Sequence, residues 1–337
     1  MSSAADYVGA NAINFTESRS HVRVDLIAAH VTQVLSDQAN RLAPRPINTV
    51  LDVGCGTGRF TELCRTIFPN PDTRIVGFDF APDLIHTARS RVGAQTNHIT
   101  YLQHDLLQPL DAAAQNLPST YDIILSVFCV CHFGTREDMH TAMRHMLQML
   151  HPEHGTLVLV IPRIPTNESE QRVLAKYGVQ YPGIDHVHLR TVANNAANGA
   201  PVTVHLSTRQ PLAATDTSSP AAAVLHDYYW PPAAYEAMLR EVGFRGDITF
   251  APRPLPHSLW RCTASTDNTA ASTVMISSRT QHNVSHTMSL AEPPRIPADN
   301  DTQEQQQDRV VDILLSDYYL AAPSYYIIIA RSNPPAE

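Results

Sequence analysis

Lysine is almost missing from this chain: of its 24 basic residues only Lys176 is a lysine, and the arginines are scattered rather than gathered along one element. With a formal charge of -8, a phosphate-tracking basic face is not expected, which argues against nucleic-acid binding. Cysteine is sparse as well. The five (Cys55, Cys64, Cys129, Cys131 and Cys262) form no CxxC pair, so zinc-finger and thioredoxin-type redox chemistry are not indicated and reduced thiols are expected. Long apolar runs are absent too, since Ile123–Cys131 and Tyr325–Ala330 fall far short of the roughly 20 residues of a membrane-spanning helix. The opening stretch MSSAADYVGA has neither a basic start nor an apolar core, so no secretory signal is read there and a cytoplasmic protein is expected. What remains is a globular chain of 337 residues and 43% apolar content, enough for one large domain or two modest ones.

Glycine is the most informative scarcity. There are 13 in the chain, well below the roughly 7% of average proteins, yet Gly54, Gly56 and Gly58 crowd together directly after a β-branched run. Glycines between a strand and a helix permit a sharp turn and close approach of backbone to ligand, and the helix N-terminus adds unpaired N–H groups. A nucleotide-type ligand is implied. The dinucleotide fingerprint would need glycine where Arg59 stands, and the phosphate loop would need a Gly-Lys-Ser/Thr ending that is absent, so NAD and ATP both lose ground.

Hydrophobic periodicity predicts an α/β fold with a parallel sheet. Strands are expected at Thr49–Val53, Arg74–Phe78, Ile99–Gln103, Tyr121–Cys131, Leu157–Ile161, Asp247–Phe250 and Tyr325–Ala330. Helices are expected over 58–68 and Asp83–Arg91, along the Met139–Leu150 face, over Pro231–Val242 with Gly243 as C-cap, and at the N-terminus over Asn14–Leu35. The methionines at 139, 143 and 146 are read as core packing. Residues 163–230 are too long for a simple loop and are read as an inserted cap. From Arg261 to Arg309 there is no aromatic residue and no glycine, and such a stretch is expected to be disordered. The resulting partition is an N-terminal helical segment (1–47), a core (48–162), the cap (163–230), the remainder of the core (231–254 and 323–337) and a polar insertion (255–322).

The sequence VLDVGCGTGRF, Val50 to Phe60, closely resembles the first motif of the class I S-adenosylmethionine-dependent methyltransferases, and the resemblance continues in register. It implies a Rossmann-like, seven-stranded, doubly wound sheet and S-adenosyl-L-methionine as cofactor. In RIVGFDFAPDLIHTAR, Asp79 would accept hydrogen bonds from both ribose hydroxyls and Phe80 would lie against the adenine. In ITYLQHDLLQPL, Asp105 would take the adenine amino group and the Leu106 amide would meet the ring, with His104 beside them. YDIILSVFCVCHF would pass beneath the methionine moiety through Val127 and Phe128. Cys55 lies in the glycine loop itself, and Asp52 would orient that loop or reach the cofactor's amino group through water. LHPEHGTLVLVIP is similar to the family's turn into the fifth strand, with His151, Glu153 and His154 replacing the usual residues. The resemblance covers 48–254 and 323–332, and it implies a small-molecule acceptor, a carboxylate or hydroxyl oxygen; RNA or protein methylation and an inactive scaffold are the alternatives.

The sulfonium is already an activated donor, so catalysis needs alignment and exclusion of water rather than a metal or covalent nucleophile. His132 is the candidate general base, at the carboxyl edge of the sheet where open α/β proteins bind ligands; the same place also suits a histidine that only shapes the pocket. No metal is expected from Cys129–His132, because neighbours on a strand point to opposite faces. His186 and His188 are read either as a surface pair or as substrate contacts. Arg19 or Arg23 would meet the cofactor carboxylate.

Overall fold

The computed structural model describes residues 22–92, 99–165, 167–176, 179–185, 189, 198–206, 223–251, 260–264, 272–278, 285–290 and 325–332. In chain order its elements are α1 (Val22–Leu42), β1 (Thr49–Val53), α2 (Arg59–Ile67), β2 (Arg74–Asp79), α3 (Pro82–Val92), β3 (Ile99–Gln103), β4 (Ile123–Val127), α4 (Arg136–Met149) and β5 (Thr156–Pro162). There follow α5 (Glu168–Lys176), β6 (Val179–Gln180), β7 (Ala200–Leu206), β8 (Ala223–Tyr229), α6 (Pro232–Val242), β9 (Ile248–Phe250), β10 (Trp260–Ala264), β11 (Ser272–Ser278), β12 (Ser285–Leu290) and β13 (Tyr325–Arg331).

Seven strands form one sheet in the order β3-β2-β1-β4-β5-β13-β9. β1 to β5 run parallel, and β13 is antiparallel to both of its neighbours, with Ile328 opposite Leu159 on one side and Phe250 on the other. Because side chains alternate along a strand, the sheet splits its apolar residues between two cores. Val50, Ile123, Leu125, Val158, Val160, Ile327 and Ile329 pack with α1 and α2. Leu51, Val53, Ile124, Leu157, Leu159, Ile328 and Ala330 pack with α4 and α6. Strands buried on both faces explain the continuous apolar runs in the sequence. The methionine stripe of α4 is core: Met139, Met143 and Met146 are all fully buried. α4 is capped by Thr135, whose hydroxyl accepts from the Asp138 amide, and α6 stops at Gly243 in the left-handed conformation, as its sequence predicts.

Within 163–230 the described residues form α5 and a three-stranded antiparallel sheet, β6-β7-β8. Its apolar face, which includes Leu174, Tyr181, Val204 and Leu225, packs on Ala81 and Leu84 at the start of α3. Its far end is tied down by the Trp230 indole, which donates to the Phe133 carbonyl at 2.9 Å, and by the Gly199 amide, which donates to Gly134.

Three expectations need correction. The fourth strand ends at Val127 rather than Cys131: Phe128 takes a positive φ of 52°, which breaks the extended chain, and a 3-10 turn follows over Val130–His132. The N-terminal helix reaches Leu42 rather than Leu35, and the part expected before Val22 lies outside the described residues. The polar stretch is not without structure. β10, β11 and β12 pair as an antiparallel sheet of their own, which the β-branched alternation of STVMISS supports where bulk composition does not.

Candidate functional site

The loop between β1 and α2 is built on positive φ angles at Gly54, Gly56 and Gly58, of 68°, 55° and 83°. Gly58 is the N-cap of α2, and a Cβ there would sit 2.3 Å from the Tyr101 hydroxyl, so packing as well as backbone conformation demands glycine. Gly56 differs. A Cβ at that position would meet no heavy atom within 4 Å, so the loop opens onto space at the carboxyl edge of the sheet. The loop is fixed from below by the Cys55 amide on the Phe78 carbonyl at 2.9 Å and by the Gly58 amide on the Cys55 carbonyl at 3.0 Å.

Asp79 closes β2 across from this loop. Its Oδ2 accepts from the Gly56 amide and its Oδ1 from the Ala81 amide, both at 2.9 Å. Burial raises its pKa, against the opposing pull of those two amides and of His132. Each carboxylate oxygen carries a second lone pair, which is what two neighbouring hydroxyls require. Asp52 faces away: its Oδ2 accepts from the Thr61 hydroxyl of α2 at 2.6 Å. Burial, with the Asp79 charge adding to it and the Thr61 hydrogen bond opposing, pushes the Asp52 carboxyl up to about 7. This geometry suits orienting the loop through α2.

Beyond β3, the His104 amide donates to the Asp79 carbonyl at 3.0 Å, and the His104 ring stands edge-on to Phe78 with centroids 5.0 Å apart. Burial lowers the His104 pKa. Asp105 is exposed and its Oδ1 accepts from the Leu107 amide at 2.9 Å, while Leu106 is buried. Val127 and Phe128 are buried at the end of β4, and Cys129 lies directly against Gly54. The Cys55 thiol is buried, and burial, reinforced by Asp52 and Asp79, pushes its pKa well up.

His132 sits on the 3-10 turn after β4, not at the end of the strand. Its Nδ1 lies 2.8 Å from Oδ1 of Asp227 on β8, with the two side chains 17% and 8% exposed; the contact is an ion-pair approach outside hydrogen-bond alignment. Sequence reading missed Asp227, although the β6-β7-β8 sheet carries it straight over the turn. Packing fixes the approach, since a Cβ on Gly134 would sit 2.4 Å from the Tyr228 ring. The turn also brings Cys131, His132 and Asp227 together, with ligand-type atoms within 4.8 Å of one another, a convergence that the expected strand would have prevented. Also missed is Arg163 just beyond β5, paired with Glu170 at 2.8 Å inside the cap. Burial disfavours its charge, but Glu170 and Tyr326 outweigh that and raise its pKa.

The loop glycines, Asp79, Phe80, His104, Asp105, Leu106, Val127, Phe128 and His132 therefore gather along one edge of the sheet, at strand ends or the turns that follow them. His186, His188 and Arg19 lie outside the described residues, as does the Arg23 side chain.

A profile of the methyltransferase-domain family matches residues 50–153. The chain is 35% identical over 111 residues to malonyl-(acyl-carrier protein) O-methyltransferase of Paenibacillus sp. (strain JDR-2), an alignment covering 32% of this chain and 37% of that protein. It is 32% identical over 113 residues to tRNA (carboxymethyluridine(34)-5-O)-methyltransferase of Saccharomyces cerevisiae, covering 32% and 34%. The chain thus spans about a third of the length of these curated relatives. The solved structure of Streptomyces venezuelae DesVI is 18% identical, with 66% of this chain and 85% of that chain covered and a TM-score of 0.43. Residues 50–153, which carry the glycine loop and Asp79, thus match the methyltransferase-domain family.

Proposed function

We propose that this protein transfers a methyl group from S-adenosyl-L-methionine to an oxygen of a small-molecule acceptor. The observation that carries the reading is the pairing of the open glycine loop with Asp79. The residues fit the cofactor: Gly56 leaves room where a side chain would stand, and the two Asp79 oxygens hold amides while keeping lone pairs for a diol. Asp79 would hold the ribose, Phe80 and Leu106 the adenine with Asp105 at its amino group, and Val127 and Phe128 the methionine arm. When bound, the cofactor supplies a methyl carbon already activated by the sulfonium.

The chain's own work is then positioning and one proton. His132 would take the proton of an acceptor hydroxyl, and the Asp227 carboxylate, 2.8 Å from its Nδ1, would stabilise the imidazolium that forms through its charge. This pair favours a hydroxyl over a carboxylate, which needs almost no base. The cap, tied across the His132 turn by Trp230, would exclude water from the acceptor.

A second reading, an RNA acceptor, draws on the likeness to tRNA methyltransferases; the net charge of -8 and the near absence of lysine speak against it. Isothermal titration with S-adenosylmethionine and with S-adenosylhomocysteine tests the cofactor site, and micromolar binding of both is expected. Methyl-label transfer is then measured on three pools: small hydroxyl compounds, small carboxylic acids and bulk tRNA. Labelling of tRNA alone would overturn the small-molecule reading, and no cofactor binding by folded protein would overturn the whole assignment.

A further inference from the structure

The half-buried His145 of α4 reaches out of its helix to a carbonyl 39 positions earlier, its Nδ1 lying 2.7 Å from the oxygen of Leu106. A carbonyl can only accept, so Nδ1 carries the proton and donates. That carbonyl belongs to the peptide unit joining Leu106 to Leu107, and the N–H at the other end of the same unit donates to Oδ1 of Asp105 at 2.9 Å. One hydrogen-bonded chain therefore runs from the His145 imidazole through a single peptide unit to the Asp105 carboxylate. We infer that His145 is a positioning residue for the adenine end of the cofactor site: it fixes the peptide that aims Asp105, and so sets the preference for a purine with an exocyclic amino group. The inference rests on the place proposed above for Asp105 at that amino group.

Asp105 is exposed, so burial does not fix its side chain and hydrogen bonds must. Two of them lie inside the turn: the Gln108 amide donates to the Asp105 carbonyl at 2.9 Å, and His104 Nε2 meets the Gln108 carbonyl at 3.2 Å. Such bonds shape the turn without anchoring it. Its start is tied to β2 by the His104 amide on the Asp79 carbonyl at 3.0 Å, and its middle is tied to α4 by His145. That helix is a firm support, with Met139, Met143 and Met146 fully buried and its N-terminus capped by Thr135. A site group held through a rigid element is placed more precisely than one held by its loop alone. The bonds of the chain also polarise one another: the imidazole N–H draws charge onto the Leu106 oxygen, which makes the Leu107 N–H a better donor to Asp105. Selectivity follows from the fixed carboxylate. It accepts from an amino group, but an oxo purine would set an oxygen against it, acceptor facing acceptor.

The test is calorimetric titration of the full chain with S-adenosylhomocysteine and with S-inosylhomocysteine, the analogue bearing an oxygen in place of the amino group. The parent is expected to prefer the first. His145→Phe keeps the bulk of the ring and removes the N–H, and it should narrow that preference about tenfold, chiefly by weakening S-adenosylhomocysteine; His145→Leu serves if the Phe variant does not fold. His145→Asn, whose side-chain amide can donate to the same carbonyl, should restore most of the preference. In an Asp105→Ala background His145→Phe should change the affinity by less than about twofold, because its effect passes through the carboxylate. An unchanged preference in the folded His145→Phe or His145→Leu variant would overturn the inference, as would equal weakening of both ligands or an undiminished loss in the Asp105→Ala background. A parent that binds both ligands equally would overturn it through the Asp105 assignment. A parent that binds neither would overturn the cofactor reading as well, a result distinct from a preference that residue 145 does not move.

Discussion

Asp79 accepts from the Gly56 and Ala81 amides, so its removal would both strip the proposed ribose site and leave those N–H groups to find water. Asp79→Ala is expected to weaken S-adenosylmethionine binding by about 2–4 kcal/mol, the scale of two charge-assisted hydrogen bonds; calorimetry showing an unchanged affinity would sink the ribose assignment. Asp52 makes a different prediction. Its carboxyl is pushed up to about 7 by burial, while an unfolded aspartate titrates near 3.9. Between those values the folded chain holds a proton that the unfolded chain has released, so this residue's contribution to stability falls as pH rises from about 4 to 7. At about 1.4 kcal/mol per pKa unit, the loss is on the order of 4 kcal/mol. Asp52→Asn cannot ionise and still offers an oxygen to Thr61. Urea denaturation should show the variant gaining stability over the parent at pH 8 and little or nothing at pH 4.5; equal differences at both pH values would mean that the carboxyl titrates normally.

Within the β1–α2 loop, neighbouring glycines are expected to fail in different ways. Gly58→Ala meets the Tyr101 hydroxyl as well as an unfavourable φ, so it should destabilise the fold by about 2–4 kcal/mol, combining left-handed strain with overpacking. Gly56→Val points into open space and should cost about 1–2 kcal/mol of strain while abolishing cofactor binding, because the side chain stands where the ligand would lie. Thermal melts and titration of both variants separate the two effects. This loop and the strands beside it were legible in the sequence because glycine spacing and β-branched runs are local signals. The end of β4 was not: VFCVC is apolar throughout, and a chain buried on every side shows no period by which to tell a strand from a 3-10 turn. Asp227 was hidden for another reason. Its approach to His132 depends on the docking of Tyr228 against Gly134 and of Trp230 against Phe133, contacts between distant segments that no sequence pattern announces.

At the scale of the whole molecule, β10, β11 and β12 make a sheet that, among the described residues, exchanges no strand pairing with the seven-stranded one. Joining residues 261 and 309 by a short linker is therefore expected to leave the melting temperature within a few degrees of the parent, as loop-like insertions are tolerated when little of the core depends on them. A large drop would show that the meander packs on the core. The placement of β13 carries a consequence for biosynthesis. This strand lies between β5 and β9, yet it leaves the ribosome after every other described strand. Until it arrives, the apolar edge of β5 is a bare ladder of unpaired amides and carbonyls, the kind of surface on which nascent chains pair with one another. Yield of soluble protein in cells should accordingly respond to chaperone supply more strongly than the stability of the finished fold would suggest.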